Sequence, residues 1–238
     1  MTERNASVSI VGAGDFIGAA IARRFAAEGY RVHGGRRQGD KLVELTAEIE
    51  AAGGSFTGHS LDARREEEVV DFLDVAEASA PLEAVIFNVG GNVNFPILDT
   101  SERVVRKVWE MAGYAGFLTG REAARRMLVH GQGSIFFTGA TASLRGGALF
   151  QNLAVPKFGL RALAQSMARE FQPQGVHVAH VIIDGQIESD RPGRRVAERG
   201  VDAVLSPDAI AETYCQLHLQ APSAWTLELD LRPYLEKF

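Results

Sequence analysis

The chain has 238 residues, 46% of them hydrophobic, and a net charge of −5 from 25 Lys and Arg against 30 Asp and Glu. That is apolar material for one sizeable core and suits a single α/β domain, while the mildly acidic balance, with no basic stripe, excludes nucleic acid as an expected partner. One cysteine, Cys215, excludes an internal disulfide, and the polar start with no long apolar run excludes a signal peptide or membrane span, so a cytoplasmic protein is expected.

Short β-rich runs alternate with longer helical patterns from end to end. Strands are predicted over 7–11, 31–34, 55–59, 84–88, 134–138, 176–183 and 225–231. Helices are predicted over 16–28, where Ile17, Ile21 and Phe25 recur at helical spacing, and over 41–52, 66–78, 102–129, 153–171 and 207–220. The run Glu66-Glu67-Glu68 falls in a first helical turn, where it matches the helix dipole. The stretch 102–129 is expected to break near Gly113. No linker, repeat or low-complexity segment divides the chain, so the expectation is one domain over 1–238. Strand–helix alternation of this kind specifies a doubly wound, Rossmann-like parallel sheet with helices on both faces. Its ligand crevice lies at the C-terminal edge of the strands.

The first strand runs into Gly12-Ala13-Gly14-Asp15-Phe16-Ile17-Gly18 and then a helix. Glycines there let the backbone approach a pyrophosphate, and the helix N-terminus offers N–H donors and positive potential. A glycine triplet alone is a weak signal; the strand–turn–helix context gives it weight. The second strand ends in Gly34-Gly35-Arg36-Arg37, and the next acid is Asp40. An NAD site would place a carboxylate at the strand end for the ribose 2′-OH, whereas Arg36 and Arg37 offer charge and fork geometry to a 2′-phosphate. NADP is therefore the expected cofactor, with NAD second.

Together these segments resemble the short-chain dehydrogenase/reductase family over essentially the whole chain. The turn 12–18 is similar to that family's glycine motif, with Phe16 at its middle glycine. Leu61-Asp62-Ala63 resembles the segment whose aspartate bonds adenine, and Phe87-Asn88-Val89-Gly90 the Asn-Asn-Ala-Gly segment after the fourth strand. Asp184-Gly185-Gln186-Ile187-Glu188-Ser189 resembles the Pro-Gly loop that holds the nicotinamide carboxamide, with Asp184 for Pro and Ser189 for the usual Thr. The resemblance thus implies Asp62, Ala63, Asn88, Gly90, Lys157, Ile187 and Ser189 as cofactor residues, beside Gly12, Gly14, Asp15, Phe16, Ile17, Gly18, Arg36 and Arg37.

The same resemblance implies hydride transfer, with a Tyr as acid/base, a Lys that lowers its pKa, a Ser for the substrate oxygen and an Asn for a relay water. Lys157 matches the Lys, but Leu153 stands at the Tyr position, Ala140 near the Ser position and Gly113 at the Asn position. The variant spacing with six residues between Tyr and Lys meets Phe150. Thr141 or Ser143 supplies a hydroxyl if the loop is shifted. Tyr114, next to Gly113, and Tyr234, near the C-terminus, are the remaining candidate acids, though core packing or plain exposure also accounts for each. The residues expected at the chemistry are Lys157, Thr141 and Tyr114.

His177 and His180 share a strand on opposite faces, and His33, His59, His130 and His218 have no partner at ligand spacing, so no metal is expected. Residues 190–206 carry Arg191, Arg194, Arg195 and Arg199 where the family keeps a mobile lid, which would suit an acidic substrate or lie solvated. Three readings stay open: an NADP-dependent oxidoreductase of a small carbonyl, alcohol or CoA-type substrate; a non-catalytic NADP-binding sensor; and an isomerase or dehydratase using the same pocket. Apolar residues on more than one side of 102–129 and 153–171 (Val105, Val108, Trp109, Phe117, Leu160, Leu163, Met167) lead us to expect a homodimer or homotetramer.

Overall fold

In the computed structural model, residues 4–91 and 93–235 are described, so residues 1–3 of the polar start lie outside it. Seven parallel strands form one sheet in the order β3-β2-β1-β4-β5-β6-β7. They are β1 (Ser7–Val11), β2 (Arg31–Arg36), β3 (Ser55–Ser60), β4 (Leu82–Phe87), β5 (Gly133–Thr138), β6 (Val176–Ile183) and β7 (Glu228–Leu231). Strands β1 and β6 are buried along their whole length. Continuous burial, which here includes Ser7, Ser9, His177 and His180, is what a strand covered on both faces shows. The order reverses between β1 and β4, which opens a crevice above their C-terminal ends.

Helices α1 (Ile17–Ala27), α2 (Val43–Ala51) and α8 (Pro207–His218) cover one face, where Ile21, Phe25, Ile49 and Tyr214 pack on Val8, Ile10 and Phe136. Helices α3 (Glu66–Ser79), α5 (Ala115–His130) and α6 (Gln151–Phe171) cover the other, where Leu73, Leu118 and Leu160 pack on Val85, Phe87 and Phe137. Each such side chain contributes roughly 1.5–3 kcal/mol through removal from water. The short helix α4 (Glu102–Trp109) joins α5 through a π-helical turn over Glu110–Tyr114. The expected break at Gly113 is thus a widened turn rather than a gap.

The largest boundary differences have physical causes. Strand β2 runs on to Arg36, because Gly34 and Gly35 are strand residues: an added Cβ would strike Phe56 at 2.5 Å in one case and Leu61 at 2.5 Å in the other. Strand β7 begins only at Glu228, since Trp225 leaves the sheet to stack on His177 at 4.9 Å. Residues 190–206 contain one helical turn, α7 (Val196–Arg199).

Of the apolar residues expected to be surplus, Val108, Leu160 and Met167 are buried within the chain. The exposed ones are Val105, Trp109 and Phe117, joined by Val155 and Phe158 of α6. Among the described residues no helix is long and apolar enough to cross a membrane, and no group of three or more His, Cys, Asp or Glu could hold a metal. His33 and His59 do meet, stacked with Nδ1 3.1 Å from Nε2, across the β2–β3 pairing.

Candidate active site and dinucleotide cleft

Two cavities share Asn88, Val89 and Gly90 at the end of β4. One, of about 700 Å³, runs from the glycine turn to the end of β2; the other, of about 410 Å³, lies over the ends of β5 and β6. The turn is shaped by one glycine above all. Gly12 has φ +98°, and an added Cβ would sit 2.6 Å from the Asn88 carbonyl oxygen. Asn88 clamps this approach by donating from Nδ2 to the Gly12 oxygen at 3.1 Å. No side chain caps the N-terminus of α1, whose preceding residue is Phe16. Ile17 and Gly18, its first two residues, border a hollow beside the turn, where their N–H groups are available as donors for an anion.

Gly12, Gly14, Asp15, Phe16, Arg36, Arg37, Asp62, Ala63, Asn88 and Gly90 all border the larger cavity. Ile17, Gly18, Ile187 and Ser189 border an adjoining hollow at the turn. The expected cofactor residues are therefore brought together, with two features that sequence reasoning missed. Arg36 Nη1 donates to Asp15 Oδ1 at 2.6 Å, so a carboxylate does reach the end of β2, from the neighbouring turn. Among the described residues Arg37 has no such carboxylate partner. Asp62 has both carboxylate oxygens on Arg64, at 2.8 and 2.5 Å, and this hydrogen bonding holds its pKa below the usual carboxylate range.

The smaller cavity is bordered by two of the three residues expected at the chemistry, Lys157 and Thr141. Lys157, on α6, is buried, and its Nζ donates to the Thr138 oxygen at 2.6 Å and the Val89 oxygen at 3.1 Å. An ammonium has three protons, so one remains for the cavity. Burial pushes the Lys157 pKa down to about 8. Thr141 borders the same cavity, and its hydroxyl donates to the Asp184 carboxylate in a short hydrogen bond. Asp184 is itself buried, with Arg232 Nη2 3.4 Å from its second oxygen. Ser143 turns inward instead, accepting from the Ala140 N–H at 3.1 Å. Leu153, Ala140 and Phe150 give the cavity carbon surfaces at the three positions where the resemblance implied polar groups.

Tyr114 is not brought together with Lys157 and Thr141. Its ring stacks with Trp109 at 5.7 Å and Phe117 at 6.4 Å, and it borders a cleft with Asp62 and Arg65. The π-helical turn carries it to that side. Tyr234 is 77% exposed, with its hydroxyl 3.4 Å from Asp202. Behind the cavity, buried His180 has neither ring nitrogen hydrogen-bonded and lies against Gly139. Burial, with the Lys157 charge in second place, pushes its pKa down to about 4, so it is neutral near pH 7.

Residues 6–232 match the family of short chain dehydrogenases. The chain belongs to the short-chain dehydrogenase family. A short-chain dehydrogenase from Rhodopseudomonas palustris is 60% identical, with a TM-score of 0.86 over 97% of this chain and 100% of that one. A metagenomic short-chain oxidoreductase solved in complex with NADP is 25% identical, with a TM-score of 0.85 over 98% of each chain. A short-chain dehydrogenase/reductase of Armillaria gallica is 31% identical over 173 residues, which are 71% of this chain and 66% of that protein, just under two thirds of its length.

In this family member the buried lysine offers a direct check of the site's electrostatics. Titration of Lys157 Nζ by NMR on specifically labelled protein should give a midpoint near 8; a midpoint near the ordinary 10.5 would mean that water reaches the amine and the cavity is not dry.

Proposed function

We propose that this chain is an NADP-dependent oxidoreductase that moves a hydride to or from a small carbonyl, alcohol or CoA-type substrate, using a catalytic set without its tyrosine. The observation that carries the proposal is Lys157, a buried amine set under a cavity that adjoins a dinucleotide-sized cleft. The cleft fits a nicotinamide dinucleotide: among the described residues Ser189 has a buried hydroxyl with no partner at the hollow beside the glycine turn, and no side chain caps the start of α1. When bound, the nicotinamide supplies or receives the hydride. The NADP complex of the 25% identical oxidoreductase, and Arg37 beside the cleft, support NADP over NAD.

The protein's own task is the proton. At pH 7 Lys157 is mostly protonated, because its pKa lies near 8. It is placed to donate to a carbonyl oxygen as the carbon receives hydride. Alcohol oxidation needs the neutral amine, so its rate should rise with pH through about 8 while carbonyl reduction falls. Thr141 has its own proton on Asp184 and presents a lone pair, so it can accept from a substrate hydroxyl. Leu153 and Ala140 add neither an acid nor an oxyanion donor. Loss of one acid typically costs about 10²–10⁴ in rate, which favours slow turnover of simple ketones. The apolar wall they form also favours the second reading, a non-catalytic NADP-binding protein. Under that reading Lys157 serves only to hold cofactor.

We further read Val105, Trp109, Phe117, Val155 and Phe158, exposed on α4, α5 and α6, as a surface that pairs across a two-fold axis. Light scattering at micromolar concentration should then give at least twice the 25.7 kDa chain mass, and a species of 25.7 kDa alone would refute it.

Cofactor choice can be measured by titration calorimetry. NADP⁺ should bind more tightly than NAD⁺, and Arg37→Ala should weaken NADP⁺ about tenfold, the scale of one charge-assisted hydrogen bond. Asp15→Asn should strengthen NADP⁺ by a few-fold, since it releases Arg36 and removes a charge from the turn. Equal or tighter binding of NAD⁺ by the unmodified protein would sink the NADP assignment.

A further inference from the structure

The four arginines of the lid divide into two pairs. Arg195 and Arg199 brace the lid itself: Arg195 Nε donates to the Asp190 oxygen at 2.9 Å, and Arg199 Nε to the Gly193 oxygen at 2.5 Å. Arg191 and Arg194 turn the other way. Arg191 lies over the Phe16 ring, 5.8 Å from its centroid, and borders the larger cavity. Half-buried Arg194 borders both the hollow at the glycine turn and the smaller cavity. Among the described residues neither guanidinium has a hydrogen bond or an ion pair, although Arg191 has the aromatic contact.

These two cations offer positive charge to an anion bound in the cavities they border. Two observations favour the turn as its place. The N–H groups of Ile17 and Gly18 at the start of α1 have no side-chain cap. The Ser189 hydroxyl, 7% exposed, opens on the same hollow with no partner. The Asp15 carboxylate stands in the turn and would oppose a bound anion, and its one arginine partner, Arg36, reaches it from β2. The turn therefore needs positive charge from elsewhere, and the lid supplies it.

We propose that Arg191 and Arg194 are ligands of the cofactor's pyrophosphate, brought down by the lid onto the turn 12–18, with Phe16 as the platform that seats Arg191. Phe16 stands where the family motif has a glycine. Its ring exchanges backbone freedom for a π face that attracts a guanidinium. The lid then closes on the part of the dinucleotide common to NADP and NAD, separately from Arg36 and Arg37 at the 2′-position. Arg194, bordering both cavities, links cofactor occupancy to the wall of the substrate cavity.

The inference rests on the dinucleotide reading above, and calorimetry with three probes separates the two. NADP⁺ and NAD⁺ carry the pyrophosphate; 2′-AMP carries adenine and a 2′-phosphate without it. Arg194→Ala and Arg191→Ala should each weaken both dinucleotides by a similar factor, about five- to tenfold, and leave 2′-AMP within about twofold. Phe16→Leu should weaken both dinucleotides about threefold and add nothing in the Arg191→Ala background, because the ring acts through that arginine. Unchanged dinucleotide binding in the Arg191→Ala, Arg194→Ala double variant would overturn the clamp, as would an equal loss of 2′-AMP affinity. An unmodified protein that binds 2′-AMP as tightly as NADP⁺ would overturn it too. Binding of none of the three probes would defeat the dinucleotide reading itself, and the clamp with it.

Discussion

Lys157 is a cation buried against backbone carbonyls, with no carboxylate salt bridge among the described residues. The carbonyls belong to Thr138, the last residue of β5, and Val89, just past β4, so the lysine gathers the two strand ends that frame the cavity. Burial takes that charge out of water, and its pKa falls to about 8 as a result. The rest of the site is arranged around that condition. His180 behind it is held neutral, and the one nearby buried carboxylate, Asp184, is occupied by Thr141 and Arg232. Among the described residues that border the smaller cavity, this desolvated amine has a pKa brought near neutrality, which is why the proposed chemistry runs through it.

The sheet was legible because it is buried on both faces. Val176–Ile183 and Ser7–Val11 read as β-rich strands in sequence and are those strands in the fold. Where the reading slipped, a residue had a second role. The predicted second strand stops at Gly34, yet β2 runs on through Gly35 to Arg36, and the glycines leave room for Phe56 and Leu61 beside it. Trp225 has strand propensity, yet its ring is drawn to His177.

The cofactor cleft was likewise legible as a set of motifs, while its pairings were not. Asp15 and Arg36 are 21 positions apart, and only the β1–β2 pairing brings them together, so the apparent absence of an acid at the strand end was an artefact of looking along one strand. Nor does sequence say which lid arginine turns inward. The candidate proton donors behaved similarly. Thr141 falls at the cavity because a short 3₁₀ turn follows β5, whereas Tyr114 is carried off by the π-helical turn, a feature with no strong sequence signal beyond Gly113.

The most direct test of the proposed catalytic account measures NADPH oxidation against a panel of simple carbonyls by the unmodified protein and by the Leu153→Tyr, Ala140→Ser double variant. Restoring an acid and an oxygen ligand above an intact Lys157 should raise turnover by about 10² or more over a slow starting rate. Brisk turnover by the unmodified protein, with no gain in the double variant, would contradict the account, because the carbon wall at positions 153 and 140 would then not be what limits the chemistry.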